Sequence, residues 1–96
     1  MLESLGQHRI ALLRNHGALV CGRTLGEAMV EQQYLEMACR GQIAALAGGS
    51  EVSIIPDDIA AIGVQQVTFD DPVEAGAKDW SACLRLAHRL DPSFAA

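Results

Sequence analysis

The stretch Ile10-Ala-Leu-Leu-Arg14, Asn15-His16-Gly17, Ala18-Leu-Val-Cys-Gly-Arg23, with Thr24 following at once, decides how this 96-residue chain is read. Two short apolar runs flank a polar corner that contains glycine, a pattern that predicts a β-hairpin with a histidine at its bend. Asn15 and Gly17 both tolerate positive φ. They can turn the chain sharply and leave the His16 imidazole projecting from the rim of a sheet, a position suited to holding a ligand.

Directly after the hairpin, Thr24-Leu-Gly-Glu27 has the form of a capping box, in which the threonine oxygen accepts from the N–H three residues on and Glu27 reaches back to the cap's own N–H. A helix is expected from there to about Ala47, where Gly48-Gly49 ends it. At about 100° per residue, Leu25, Ala28, Met29, Leu35, Cys39, Ile43 and Leu46 fall on one stripe, the expected core face. Val30, Tyr34 and Met37 form a second apolar strip nearly opposite. Such a helix is either sandwiched in its own domain or holds a partner subunit, and the second is the expectation. Gln32 and Glu36 project within the first stripe. A carboxylate there must be paired or solvated, and Arg40, four residues on, can supply the pair.

Outward from this core, Met1 to His8 reads as a lead-in, the end of a helix stopped by Gly6. Val52 to Ile55 is expected to be extended because Pro56 restricts the residue before it. Pro56 at a first helical position, with Asp57 and Asp58 at the positive end of a helix dipole, predicts a short helix from Pro56 to about Gln65, with Val67 to Asp70 as a loop or a brief extended piece. Asp71-Pro72-Val73-Glu74 repeats this grammar and predicts a last helix to about Leu90, stopped by Asp91-Pro92. Its inward side would carry Val73, Ala77, Trp80, Leu84 and Ala87. There is no internal repeat, low-complexity tract or second domain, so residues 1–96 are taken as one domain.

The totals bound the function. A chain of 96 residues buries a smaller fraction of its surface than a typical domain. Half its residues are hydrophobic and only 4% aromatic, so Leu, Ile, Val, Ala and Met must fill the interior. A net charge of −5 with a single lysine argues against nucleic acid or an anionic membrane as partner. No apolar run approaches the roughly 20 residues that span a bilayer, and a cytoplasmic protein is expected. Cys21, Cys39 and Cys83, odd in number and in apolar contexts, read as small buried hydrophobes rather than a disulfide framework.

Leu12-Leu-Arg-Asn-His-Gly17, the apolar strand, Gly22-Arg-Thr-Leu-Gly-Glu-Ala28 and a long helix with Tyr34-Leu-Glu and Ala38-Cys-Arg resemble the second half of the class II aldolase/adducin family. The likeness is close from Leu5 to Leu46. It extends loosely to the C-terminus through Asp79-Trp80, Leu84-Arg85 and Asp91-Pro92, a tail similar to that of adducin-like bacterial members. The resemblance implies an α/β chain that is a fragment of the three-layer αβα class II aldolase fold, with one β-hairpin, a long helix and two C-terminal helices. It implies that His16 is a metal ligand, one of several holding zinc in the family enzymes. There zinc acts as a Lewis acid for aldol cleavage or 4-epimerisation of small sugar phosphates. The family's His-x-His pair, its acid/base carboxylate and most of its phosphate loop lie upstream of this motif, and none occurs before Ile10. The expectation is therefore a C-terminal part of a family domain, inactive alone, whose apolar surface favours a homo-oligomer. The alternative is an adducin-like, non-catalytic oligomerisation or interaction module.

Other candidate groups have ordinary readings. His8 and His88 make neither a His-x-His nor a His-Glu-x-x-His spacing with His16, and His88 suits the C-terminal end of a helix dipole. Arg14, Arg23 and Arg40 could bind phosphate, but they are spread without a glycine-rich cradle and suit salt bridges better. Trp80 reads as core and Arg85 as solvated or paired. No serine or cysteine sits in a nucleophile context.

Overall fold

Gly6, in the left-handed region at φ 55°, ends α1 (Leu2–Leu5) and turns the chain into the hairpin of β1 (Ile10–Leu13) and β2 (Gly17–Val20). The architecture is that of a computed structural model, which describes residues 2–49 and 51–95. Met1, the first residue of the expected lead-in, lies outside the described residues. The strands are antiparallel, with Ile10 opposite Val20 and Leu13 opposite Gly17, and Cys21 N–H donates to the Arg9 carbonyl at 2.8 Å.

From the hairpin the chain enters α2 (Leu25–Ala47). Thr24 is its extended N-cap, and its side chain accepts from Glu27 N at 3.1 Å. The other half of the capping box departs from expectation. Glu27 does not return to the Thr24 N–H but accepts from the N–H of Arg23 at 3.4 Å, because the Arg23 guanidinium draws the carboxylate one residue back. Gly48 caps the other end, and Gly49 turns at φ 68°.

α3 (Asp57–Val67) starts one residue later than the helix predicted from Pro56, which is its extended N-cap rather than its first helical residue, and runs two residues past Gln65, taking Val67 into the helix; the Thr68 hydroxyl beyond it donates to the Val64 carbonyl. The last helix differs more. Asp71 does accept from the backbone, taking the Val73 N–H at 2.8 Å, but it closes a turn rather than a helix. The chain then passes through Gly76 at φ 76°, and α4 spans Ala77–Leu90. The left-handed Gly76 breaks any continuous helix from Pro72. Val73 accordingly stands outside α4 and is exposed, and the covered stripe is Trp80, Cys83 and Ala87. Asp91 ends α4 and accepts from Ser93 N in a 3-10 turn over Pro92–Ala95.

The packing centre is where α2 crosses α4. Gly26 lies beneath Trp80, and a Cβ on Gly26 would sit 3.1 Å from Trp80 Cβ. A Cβ on Gly76 would run into the Gly26 carbonyl. Among the described residues only Gly26, Glu27 and Ala75 are buried. On the expected core stripe of α2, Ala28, Met29, Leu35 and Cys39 are half-buried, whereas Leu25 is 75% exposed and Ile43 68%. From Arg40 to Ala47 every residue is exposed. Glu36 and Arg40 pair at 3.1 Å on the surface, as expected of this spacing.

The mixed hairpin-and-helix architecture fits a fragment of an αβα fold. The Cα radius of gyration is 16.3 Å, whereas a closed domain of this length has about 12.5 Å. The chain exposes 8159 Å², against about 5,300 Å² for a closed monomer of its mass.

Candidate functional site

His16 sits at the bend of the hairpin. Leu13 and Gly17 are the last register partners, Arg14 to His16 form the connection, and His16 N–H donates to the Leu13 carbonyl at 3.2 Å. The bend is set by two residues of positive φ, Asn15 at 56° and Gly17 at 137°, and Asn15 is the one non-glycine residue among those described to adopt such a conformation. The local sequence thus positions the histidine between two residues chosen for unusual backbone geometry, and its side chain is exposed.

Catalytic zinc takes three protein ligands and keeps one open position. Among the described residues there is no group of three or more His, Cys, Asp or Glu side chains placed to hold a metal ion. The described residues do not make a zinc site by themselves.

The electrostatic centre of the molecule lies at the start of α2. Glu27 is 3% exposed and is held by two arginines. Arg9 Nη1 is 2.9 Å from Oε1, and Arg23 Nε and Nη2 lie 3.0 and 2.8 Å from Oε2. Arg9 extends the network to Glu31 at 2.9 Å. Arg23 Nη1 and Nη2 also donate to the carbonyls of Asp70 and Phe69 at 2.9 and 2.8 Å, tying the hairpin exit to the segment before α4. The hydrogen bonds from Arg23 hold the Glu27 carboxyl below its usual range. Burial opposes this, and the charges of Arg23 and Arg9 reinforce it. Every buried side-chain polar atom among the described residues has a partner.

This network was not anticipated from sequence, although a signal existed. Arg23 and Glu27 stand four residues apart across the cap, and Arg9 precedes the strand paired with the one that ends near Arg23. Arg23 is therefore structural, Arg40 is paired with Glu36, and Arg14 lies exposed at the bend. His88 rests edge-on against Phe94, with ring centroids 6.3 Å apart. Trp80 is a packing residue, as read. The cysteines depart from expectation: all three are free, but Cys21 is exposed and Cys39 and Cys83 are only half-buried.

A cleft of about 880 Å³ opens beside this network, between α2 and the segment 66–79. Its walls include Val30, Tyr34, Ala38, Val67 and Phe69, with Glu74, Lys78 and Asp79 among its polar residues. His16 does not line it.

A hairpin with a displayed histidine, a capped long helix on its exit and a short C-terminal helix crossing that helix's start define one piece of an α/β protein. The family model described as Class II Aldolase and Adducin N-terminal domain matches residues 1–43. A "Putative aldolase class 2 protein" of Caulobacter vibrioides is 32% identical over 95 residues, covering 99% of this chain and 37% of that protein. A protein of the same description from Pseudomonas aeruginosa is 30% identical, covering 94% of this chain and 36% of its own length. Beta-adducin of Rattus norvegicus is 30% identical over 85% of this chain and 13% of its own length. No solved structure matches. The chain belongs to the class II aldolase/adducin family, and it spans little more than a third of the two bacterial relatives it matches.

Proposed function

We propose that this chain is the C-terminal part of a class II aldolase/adducin domain and that His16 is one of the zinc ligands of the completed domain. The observation that carries the reading is the display of His16, exposed at a bend whose flanking residues both take positive φ. The chain does no chemistry alone. Completed, the domain is a metal-dependent enzyme of the cytoplasm that cleaves or epimerises a small sugar phosphate or related hydroxycarbonyl compound. The test joins the chain to the complementary segment of the Caulobacter relative and assays aldol cleavage and epimerisation of a panel of ketose phosphates. Turnover by the joined protein, absent from either part, supports the reading. A folded joined protein that turns over none of them, and whose metal content is indifferent to His16→Ala, removes it.

A second reading, an adducin-like self-associating module without catalysis, draws on the likeness to beta-adducin and on the exposed apolar residues of α2, among them Met37, Ile43 and Leu46. Both readings take the chain as a homo-oligomer. They part on metal, which the second does not need.

A further inference from the structure

Arg85, His88 and Arg89 stand at i, i+3 and i+4 on α4, so they share one face of that helix. With Leu84, Phe94 and Ala95 they line a depression of about 590 Å³. Among the described residues its lining holds no carboxylate. That is unexpected in a chain with 12 acidic residues against 7 lysines and arginines. The ion pairs among the described residues engage Arg9, Arg23 and Arg40, and none engages Arg85 or Arg89.

The helix dipole accounts for part of this cluster. Cations are favoured in the last turn of a helix, where His88 and Arg89 lie. Arg85 stands a full turn earlier, beyond that reach, and two like charges four residues apart on a helix repel each other. With no carboxylate in the lining, an anion from outside relieves the repulsion. The rest of the wall includes an aromatic ring. Phe94 is carried by the turn Pro92–Ala95, which Asp91 pins by accepting from Ser93 N at 3.0 Å. Its ring stands edge-on to His88, at 84° with centroids 6.3 Å apart. We infer that this face of α4 is a binding site for a small oxyanion, a phosphate or carboxylate, carried on a flat apolar body. The guanidinium forks take the oxygens, and Phe94 packs against the body. What selects the ligand is the unbalanced charge of the lining, which a covering segment would have to match with acid of its own. The site shares no residue with the bend at His16 and stands whether or not that histidine holds a metal.

An NMR titration of the whole chain tests it, with phenyl phosphate, benzoate and inorganic phosphate as probes. Phenyl phosphate or benzoate is expected to shift the backbone amides of residues 84–95 saturably, the two arms telling phosphate from carboxylate. Inorganic phosphate should bind more weakly than phenyl phosphate, and Phe94→Ala should remove that difference. Arg85→Gln with Arg89→Gln should weaken binding at least about tenfold. Arg40→Gln with Lys78→Gln removes the same charge elsewhere and should leave binding within about twofold. All four positions are exposed, so the helix signal in circular dichroism is expected to be kept; should the Arg85 and Arg89 pair lose it, Arg85→Gln alone replaces it. Binding that does not saturate, shifts centred outside residues 84–95, equal weakening in the two double variants, or an unchanged preference for the ring in Phe94→Ala overturns the site. So does a chain joined to the complementary segment of the Caulobacter relative whose probe binding, read by equilibrium dialysis, is indifferent to Arg85→Gln with Arg89→Gln.

Discussion

The guanidinium of Arg23 meets the carboxylate of Glu27 through both Nε and Nη2, at 3.0 and 2.8 Å from Oε2, and the same guanidinium holds two backbone carbonyls across the chain. A planar fork can serve all these acceptors at once, whereas an ammonium is a point charge on a flexible stem. Arg23→Lys is therefore expected to destabilise the fold more than the same change at Arg9. Arg9, half-exposed and holding only carboxylates, is expected to cost under about 1 kcal/mol as Arg9→Lys. Urea unfolding followed by helix circular dichroism ranks the two, and equal losses would contradict the bridging role of Arg23.

Acid should loosen this junction through Glu27. Its carboxyl is held below its ordinary range by Arg23, so the folded state binds the proton less readily than the unfolded chain does. The contribution is complete above the usual glutamate value near 4.5 and is lost as the pH falls below it, through the lowered folded-state value. Glu27→Gln should lower stability at neutral pH and flatten its decline between about pH 5 and pH 2. An unchanged acid profile in Glu27→Gln would show that other carboxylates govern it.

Gly76 combines a left-handed backbone with a close approach to the Gly26 carbonyl. Gly76→Ala is expected to cost about 1–3 kcal/mol from conformation alone, and more because the new methyl meets backbone rather than a movable side chain. Gly63→Ala is the contrasting control, since a Cβ there meets nothing within 4 Å. In the same unfolding assay Gly63→Ala should be neutral or mildly stabilising, and a comparable loss in both would contradict the packing at the α2–α4 crossing.

Local grammar made much of this fold legible. Gly6, Thr24, Gly48-Gly49, Pro56 and Asp91-Pro92 each act within a few residues, and each lies at the boundary it predicts. The start of α4 was misread because Asp71-Pro72-Val73-Glu74 satisfies the rules for a helix start. What overrides them is the left-handed Gly76 against Gly26, a contact fifty residues apart in sequence. The exposure of Leu25, Ile43 and Leu46 was equally out of reach, since a periodic stripe identifies the face that can be covered and says nothing of whether a neighbour covers it. At the candidate site, the bend and its histidine followed from Asn15 and Gly17. The buried Glu27 network did not: Arg23 stands only four residues away, but Arg9 reaches Glu27 across eighteen residues, through the pairing of the two strands.

The claim that His16 is a ligand is tested most directly by the zinc content of the chain joined to the complementary segment of the Caulobacter relative, measured by atomic emission with and without His16→Ala. The expected result is about one zinc per joined chain, falling to near zero with His16→Ala while the folded helix signal is retained. Full zinc occupancy in both would contradict it, because the metal would then be held without the imidazole at the hairpin bend.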